Sequence, residues 1–267
     1  MTVIVETTSY RAPLALHGID AISGADVGDG LVAIAWPQGD PTSARTAMCS
    51  PVSTLLGFGT LPGLHSQELA VLATNAVPSG PVLGLLPFVV TVTDTLGRFL
   101  PEAMVVKAPV AAPVDVTLYS APARPRPPGW ATVYGEVHVN LAGTPAAWAL
   151  LEITDGTAAY RYQTVSDQAG RFLFYLPYPD ALPSLANSPP VGGGIGQVTW
   201  TLAVTVNYEP GVLSWPASPA PAGPPDISSI RKQHQAGIAT SGGTQPSSGG
   251  TLSFGTPLLL LMDVVSA

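Results

Sequence analysis

The alternation of apolar and polar residues is clearest between Gly135 and Pro179, GEVHVNLAGTPAAWALLEITDGTAAYRYQTVSDQAGRFLFYLPYP. Short runs rich in branched and aromatic residues, such as Gly135–Val139 and Trp148–Ile153, each end at Gly, Pro, Asn or Asp. Runs of this length and composition are typical of strands that are closed by turns. The stretch therefore predicts a small antiparallel β-sandwich.

Similar runs elsewhere predict more strands. Leu14–Pro37 indicates a strand, a turn and a second strand, and Ser66–Asn75 is too short to tell a helix from a strand by its period. The run from 197 to 208 predicts a long strand with five residues on one face: Val198, Trp200, Leu202, Val204 and Val206. Leu31–Trp36 is the second strand of Leu14–Pro37, Leu55–Leu64 suits a strand that ends in a tight bend, and Pro87–Asp94 is a further predicted strand.

The frame D-x-x-G-R-F-L occurs twice, at Asp94–Leu100 and at Asp167–Leu173. In such a frame the Asp side chain accepts hydrogen bonds from the following backbone N–H groups, and the Gly adopts a positive φ. A strand, a Gly-bearing turn and a second strand precede each copy. We interpret the chain as two related β-modules, with chance matching in a Gly-rich sequence as the alternative.

A Pro-rich segment separates the two copies. The predicted division is a first module at 1–108, a stiff extended spacer at 109–130 and a second module at 131–267. Within the spacer, Arg124 and Arg126 lie in an R-P-R-P-P run before Trp130. We interpret this run as a strap whose arginines bond nearby carbonyls and whose Trp130 anchors it to the second module. The alternative is a Pro-rich ligand for an aromatic groove.

The C-terminal region has the least regular pattern. Residues 209–250 predict a loop excursion, with a short helix in SSIRKQHQAG capped by Asp226 or Ser228 and a mobile loop at TSGGTQPSSGG. Residues 251–265 predict a closing apolar strand whose edge a neighbouring subunit covers. The candidate interface residues are Leu252, Phe254, Leu258, Leu259, Leu260, Leu261, Met262 and Val264.

Composition narrows the possible functions. Of 267 residues, 46% are hydrophobic and only 10% are charged, against about a quarter charged in an average domain, which favours a subunit of an assembly. A net charge of −7 with lysine only at Lys107 and Lys232 argues against a nucleic-acid partner. The 28 Gly and 29 Pro predict short elements and an all-β fold. With neither a signal peptide nor a membrane-spanning run, we expect a cytoplasmic protein that joins a particle.

Candidate chemistry is sparse. Cys49 has no partner for a disulfide, and we expect it to be a small buried hydrophobe. No nucleophile elbow, Walker loop or dinucleotide fingerprint occurs, and Gly192–Gly196 is interpreted as a hairpin or loop. The sequence therefore predicts no catalytic residue, no cofactor and no metal site. The histidines His17, His65, His138 and His234 lie too far apart in sequence for a helical zinc motif.

Two sets of residues have both a functional and an ordinary interpretation. A carboxylate pair for glycoside hydrolysis is less favoured than turn chemistry. Its candidates are Asp20, Asp26, Asp29 and Glu68. A sugar-stacking platform is less favoured than packing in the core and on strand faces. Its candidates are Phe172, Phe174, Tyr175, Tyr178 and Trp200.

The frame T/S-D-x-x-G-x-F with its preceding strand resembles the regulatory-type domain of carboxypeptidases, a transthyretin-like β-sandwich. The resemblance covers Gly135 to Pro177 and extends, in degenerate form, to the copy before it. It implies a pair of sandwiches of transthyretin or immunoglobulin type. It implies no peptidase activity, since that module carries no metal ligands.

A longer set of phrases is similar to accessory structural proteins of extracellular-type contractile injection systems, which are phage-tail-like particles. The phrases are LPGL, VTDTLGRFLP, LYSAPARPRPPGW, PAAWALLEI and GRFLFYLPYP. The resemblance implies a non-enzymatic cap or tail terminator that forms a ring, expected to be a hexamer, and that contacts sheath and tube proteins. The alternatives are a subunit at the baseplate periphery or a fibre, a carbohydrate- or surface-binding module, and a hydrolase with an unrecognised site.

Overall fold

The computed structural model describes residues 8–64, 67–70, 85–139, 143–155, 161–178, 199–217 and 223–265. Nearly all regular structure in these ranges is β-strand, as the sequence predicts. In the first half the strands are β1 (Thr8–Arg11), β2 (Leu14–Asp20), β3 (Asp26–Val27), β4 (Leu31–Pro37), β5 (Arg45–Thr46), β6 (Met48–Cys49), β7 (Leu56–Phe58), β8 (Gln67–Ala70), β9 (Leu86–Asp94), β10 (Glu102–Ala108) and β11 (Val114–Leu118).

The second half continues the pattern. Its strands are β12 (Trp130–Val139), β13 (Thr144–Pro145), β14 (Leu150–Asp155), β15 (Arg161–Val165), β16 (Arg171–Pro177), β17 (Thr199–Asn207), β18 (Gly237–Thr240), β19 (Gly243–Gln245), β20 (Ser248–Ser253) and β21 (Leu258–Val265). A single turn of α-helix, α1 (Ile227–Ile230), and two 3-10 turns, Pro41–Ser43 and Pro210–Val212, complete the described elements. No described helix is long and apolar enough to cross a membrane.

The first module is a sandwich of two sheets. One has the order β10-β9-β4-β5, and the other has the order β11-β2-β7-β6 with β3 on β2. Strand β2 alternates buried and half-buried residues along its length, so its buried face is turned to the opposite sheet. Leu14, Leu16, Phe58, Phe88 and Val90 are among the buried residues of the resulting core. The two-stranded sheet of β1 and β8 is separate from both.

The second module is also a sandwich. Its larger sheet has the order β13-β12-β21-β18-β19 with β16 on β12, and its smaller sheet has the order β15-β14-β17-β20. Both sheets contribute to one core, which contains Val133, Phe172 and Met262 from the larger sheet and Ile153 and Val204 from the smaller. Phe172 and Phe174 pack edge to face with ring centroids 5.9 Å apart.

The two modules share a topological feature. Most strand pairs are antiparallel, but β2 pairs in parallel with β11, and β12 pairs in parallel with β21. In each module the first long strand therefore lies beside the last one. Since the residues from 14 to 118 and from 131 to 264 form separate cores, this common arrangement supports the interpretation as two related modules.

The repeated frame folds into the same turn in both copies. The Arg98 backbone N–H donates to Asp94 Oδ2 over 2.6 Å, and the Arg171 N–H donates to Asp167 Oδ1 over 2.9 Å. Each arginine also donates through Nε to its aspartate over 3.0 Å. The glycines between them have φ of +68° and +76°. The repeated letters therefore encode one local structure, as predicted.

Three other local predictions are confirmed. Strands β4 and β9 begin and end within one residue of the predicted runs. On β17, Leu202, Val204 and Val206 are buried on one face, with Trp200 half-buried and Val198 outside the described residues. Asp226 caps α1, because its Oδ1 accepts the Ser228 N–H over 2.8 Å.

The predicted spacer 109–130 contains a strand. Val114–Leu118 forms β11, and Val116 and Leu118 are buried in the first core, so these residues belong to a sheet rather than to a linker. The domain bounds 1–108 and 131–267 stay a prediction. Ala121 to Gly129 contains no strand and joins the two modules.

The predicted loop excursion 209–250 was wrong for its second half. The predicted mobile loop TSGGTQPSSGG contains the last residue of β18, the whole of β19, which pairs with β18, and the first three residues of β20. Strand β20 pairs with β17, and its backbone hydrogen bonds fix the segment in the smaller sheet. Periodic apolar residues are absent from this segment, so the signal for a strand was weak.

The predicted closing strand 251–265 is two strands in different sheets. A turn after Ser253 separates β20 from β21. Strand β21 lies between β12 and β18, so the prediction that it is an uncovered edge was wrong. Its apolar residues instead complete the second core of their own chain.

Candidate functional site

Of the eight predicted interface residues, four are buried within the second core. They are Leu252, Leu260, Met262 and Val264. Phe254 and Leu258 are half-buried. Leu259 and Leu261 point to the outer face of the larger sheet and are 52% and 68% exposed. Leu259 and Leu261 are thus the most exposed of the eight.

An exposed apolar strip surrounds these two leucines. Tyr134 stands directly opposite Leu259 on the neighbouring strand and is 43% exposed, and Val265 at the end of β21 is 42% exposed. Leu259, Leu261, Asp263 and Val265 share one face of β21, so the half-buried Asp263 separates Val265 from the two leucines. We call Tyr134, Leu259, Leu261 and Val265 the outer strip. Large apolar side chains grouped on one sheet face are typical of a surface that another protein covers.

Charged and polar residues lie within and beside the outer strip. Glu136 lies opposite Leu261, and His138 lies opposite Asp263. His138 Nε2 is 3.5 Å from Glu136 Oε2. The face is therefore mixed, with exposed apolar side chains next to ionisable ones, as in many non-obligate interfaces.

The predicted strap is present, although its two arginines behave differently. Arg126 Nε donates to the Trp130 carbonyl over 2.8 Å, as predicted. Arg124 instead binds the Asp20 carboxylate with two nitrogens, over 3.0 and 2.7 Å. Its guanidinium also lies 4.7 Å from the Phe99 ring centroid. The strap thus ties the second module to the first through a buried ion pair.

Asp20 was predicted as a turn residue, and it does bond the following turn. Its carboxylate accepts the Ile22 N–H and the Ser23 hydroxyl over 3.1 and 2.8 Å. Burial would raise the pKa of this carboxyl, but the hydrogen bonds from Arg124, Ile22 and Ser23 outweigh burial and hold the pKa below its ordinary value. Asp20 is therefore a structural anion.

A small apolar cluster lies where the modules meet. Its buried residues come from both sides of the chain, and we call them the junction cluster: Leu100, Tyr119, Trp148, Leu150, Val165 and Ile230. Beside it, Asp226 Oδ2 accepts the backbone N–H of Val105 on β10 over 3.1 Å. One side chain therefore caps α1 and also binds the edge of a sheet in the first module.

Trp148 has an unusual backbone within this cluster. Its φ is +63°, a left-handed conformation that is rare for a bulky residue and costs free energy. Its carbonyl accepts the Gln233 side-chain N–H over 2.8 Å. No residue pattern around Trp148 indicates this conformation.

Glu102 is the least expected residue of the junction. It is 4% exposed, and neither carboxyl oxygen makes a hydrogen bond. Burial raises its pKa to about 8, against the opposing effects of the Arg231 charge and of the Tyr119 backbone N–H, which lies near the carboxyl group without completing a hydrogen bond to it. It could have been found from the sequence, because Glu102 is in phase with the buried Met104 and Val106 on β10.

An open cleft of about 390 Å³ leads to the junction. Thr91, Thr93, Glu102, Trp148 and Gln168 are among the residues that line it. A much smaller apolar cavity beneath it also touches Glu102, together with Tyr119 and Ile230. Glu102 thus lies between an open cleft and an apolar interior.

The histidines do not form a metal site among the described residues. His17 Nε2 and Nδ1 lie 3.0 Å from Asp26 and from Asp115, and these bonds raise the pKa of His17. His234 Nδ1 lies 2.5 Å from Glu209 Oε2. His65, the fourth, is outside the described residues.

The remaining chemical candidates stand apart. Asp29 contributes its backbone carbonyl to Arg98, and the Glu68 side chain lies outside the described residues. Cys49 is exposed on β6, so the prediction that it is buried was wrong. Its strand has only two residues and both are exposed.

The predicted packing aromatics are in the core or contact one another. Phe172, Phe174 and Tyr175 are buried. The Tyr178 ring lies between Trp200 and Phe254, with centroids 5.5 and 4.5 Å away. These rings pack together and do not form an open row.

Comparison with known proteins yields no family. No protein-family model matches the chain, and no curated protein matches it. Solved structures that match the chain include GBS52, the minor pilin of Streptococcus agalactiae, at 8% identity and a TM-score of 0.25, covering 95% of this chain and 96% of that one. The shaft pilin SpaA of Lactobacillus rhamnosus GG has 7% identity and a TM-score of 0.25, covering 98% of this chain and 99% of that one.

The Bacillus anthracis TIE protein has 8% identity and a TM-score of 0.25 over 96% of this chain. This chain spans 34% of that protein, about a third of its length. Likenesses at these TM-scores support no inference about function.

Proposed function

We propose that the protein is a non-enzymatic structural subunit of a multi-subunit particle. The observation that carries the proposal is the outer strip, which exposes Tyr134, Leu259, Leu261 and Val265 on one sheet face. Burying apolar area of this kind stabilises association by roughly 25 cal/mol per Å² before the costs of binding. Only 10% of the residues in the whole chain are charged, so the free-energy cost of desolvating its surface is also low.

The proposed particle is a phage-tail-like contractile injection system, and the proposed position is the cap or tail terminator that closes the sheath and tube. The support for the particle is the set of sequence phrases similar to such accessory proteins. The proposed partners are further copies of this chain in a ring and the sheath and tube proteins. Two stiff sandwiches tied by the Arg124–Asp20 pair suit a ring, because a ring requires each subunit to hold one shape.

Point substitutions in the outer strip test the proposal. We expect Leu259→Ser with Leu261→Ser to abolish self-association in light-scattering chromatography and to prevent co-purification with sheath and tube proteins. The matched control is Leu96→Ser, because Leu96 is 57% exposed but lies in the first module, away from the strip. Unchanged assembly by the double variant would contradict the proposal.

Deleting the residues after Gly250 is not a usable test. That deletion removes the buried Leu252, Met262 and Val264 and the strand that pairs with β12, so it destroys the second core. Electron microscopy of particles made with the double variant instead gives the position. Sheaths of unregulated length are expected for a terminator, whereas normal sheaths with a defective baseplate would indicate the peripheral alternative.

A further inference from the structure

Glu102 sits where a charge in the interior would act on both modules. It begins β10 of the first module, and it touches a cavity whose walls include Trp148 and Val165 of the second module and Ile230 of α1. Both carboxyl oxygens are buried and unpaired. A buried carboxylate without a partner is strongly unfavourable, whereas a neutral carboxyl group is tolerated.

The groups around Glu102 do not compensate a negative charge. Tyr119 is buried, and its pKa is raised mainly by that burial. Arg231 is exposed and hydrogen-bonds Tyr119, and it acts on Glu102 only through its charge. Asp226, at the start of α1, already accepts hydrogen bonds from Val105 and Ser228 and adds negative charge. On the sides formed by Trp148 and Val165, the cavity lining has no charged group.

The junction offers a direct way to hydrate Glu102. The open cleft reaches it between Thr91, Trp148 and Gln168. Apart from the junction cluster and the Arg124 strap, β10 is held to the second module by the Val105–Asp226 hydrogen bond and a backbone bridge between Ala103 and Asp226. The walls around Glu102 belong to the junction cluster, which is distinct from the first and second cores. Opening this cluster together with those contacts would admit water to the carboxyl group.

We propose that the junction is a proton-controlled joint, in which protonated Glu102 holds β10 against α1 and ionised Glu102 releases them. The pKa of about 8 in the closed state supports this mechanism. An open, hydrated Glu102 returns to an ordinary pKa near 4.5. The closed state then binds the proton more tightly, and the opening equilibrium rises about tenfold per pH unit between about 4.5 and about 8 and is constant above. This inference does not depend on the proposed function.

Hydrogen exchange of single amides tests the joint. The Val105 N–H donates across the junction to Asp226, whereas the Leu100 N–H donates to the Tyr119 carbonyl within the first module and the Ala149 N–H donates to Ser166 within the second. After correction for the intrinsic pH dependence of exchange, we expect the protection of Val105 to fall about tenfold per pH unit from pH 5 to 8. The protection of Leu100 and Ala149 stays constant.

Substitution of Glu102 shows whether its carboxyl group causes the pH dependence of the Val105 protection. In Glu102→Gln the protection of Val105 is expected to be independent of pH, since the amide cannot ionise. Glu102→Leu gives a second neutral variant if the first does not fold. Protection of all three amides falling together in the native protein would mean global unfolding and would overturn the proposal. The same pH dependence of Val105 in either variant would also overturn it.

Discussion

Arg124 and Asp20 are 104 residues apart in the chain and form a two-pronged ion pair between the strap and the first module. Their side chains are only 13% and 5% exposed. The Tyr175 hydroxyl of the second module donates to the Arg124 carbonyl over 2.5 Å, so the same residue is held from both modules. The strap is therefore a structured connection that side chains of both modules hold in place.

We expect Arg124→Gln to lower the free energy of unfolding by about 3–5 kcal/mol, because it leaves the Asp20 carboxylate buried without its cation. Arg126→Gln is the matched control. Arg126 is exposed and bonds only the Trp130 carbonyl and the Tyr178 hydroxyl, so its loss should cost less than about 1 kcal/mol. Urea denaturation of both variants gives the comparison. Equal losses of unfolding free energy in the two variants would contradict a larger contribution from the buried ion pair.

The two copies of the D-x-x-G-R frame differ in the space beside their glycines. A Cβ on Gly170 would lie 2.5 Å from the Val137 carbonyl oxygen, whereas a Cβ on Gly97 would meet nothing within 4 Å. Both substitutions to Ala strain a positive φ at a cost of about 1–2 kcal/mol. Gly170→Ala should cost about 1–3 kcal/mol more than Gly97→Ala. Thermal unfolding of the pair measures the difference, and the opposite order would contradict it.

Gly135 allows β12 and β21 to approach each other. A Cβ there would lie 1.8 Å from the Leu260 carbonyl oxygen, so Gly135→Ala must push the paired strands apart. We expect a loss of about 3 kcal/mol or more in unfolding free energy. Gly57→Ala on β7 is the control, since its Cβ would lie 3.8 Å from Ala12. A destabilised control would indicate a general cost of replacing glycine in a strand.

Glu102 should make the stability of the whole protein fall as pH rises from about 4.5 to about 8. In that range the folded state keeps a proton that the unfolded state releases, so the free energy of unfolding decreases by at most about 1.4 kcal/mol per pH unit. Glu102→Gln should remove this slope of the unfolding free energy against pH. Glu136→Gln on the outer face should leave the slope unchanged. Denaturation at a series of pH values provides the measurement. An unchanged slope in Glu102→Gln would assign the effect to other groups.

Local sequence patterns were sufficient for much of the fold. The alternation in β4, β9 and β17 requires a strand with one buried face, and the D-x-x-G-R frames form their turn from bonds within five residues. The Asp226 cap likewise depends on a neighbouring N–H group. Such features are visible in one stretch of chain, because the atoms that stabilise them are close in sequence.

Local patterns alone predict an all-β chain of short elements with two cores, and they place Glu102 in phase with buried residues of β10. Long-range packing is what buries Leu260 while leaving Leu261 exposed, places β21 inside a sheet, and sets an apolar cavity against Glu102. In LLLLM every residue is apolar, so no alternation marks the inner face, and pairing with β12 sets it. The groups that face Glu102 and Arg124 come from residues far along the chain, which local periodicity does not reveal.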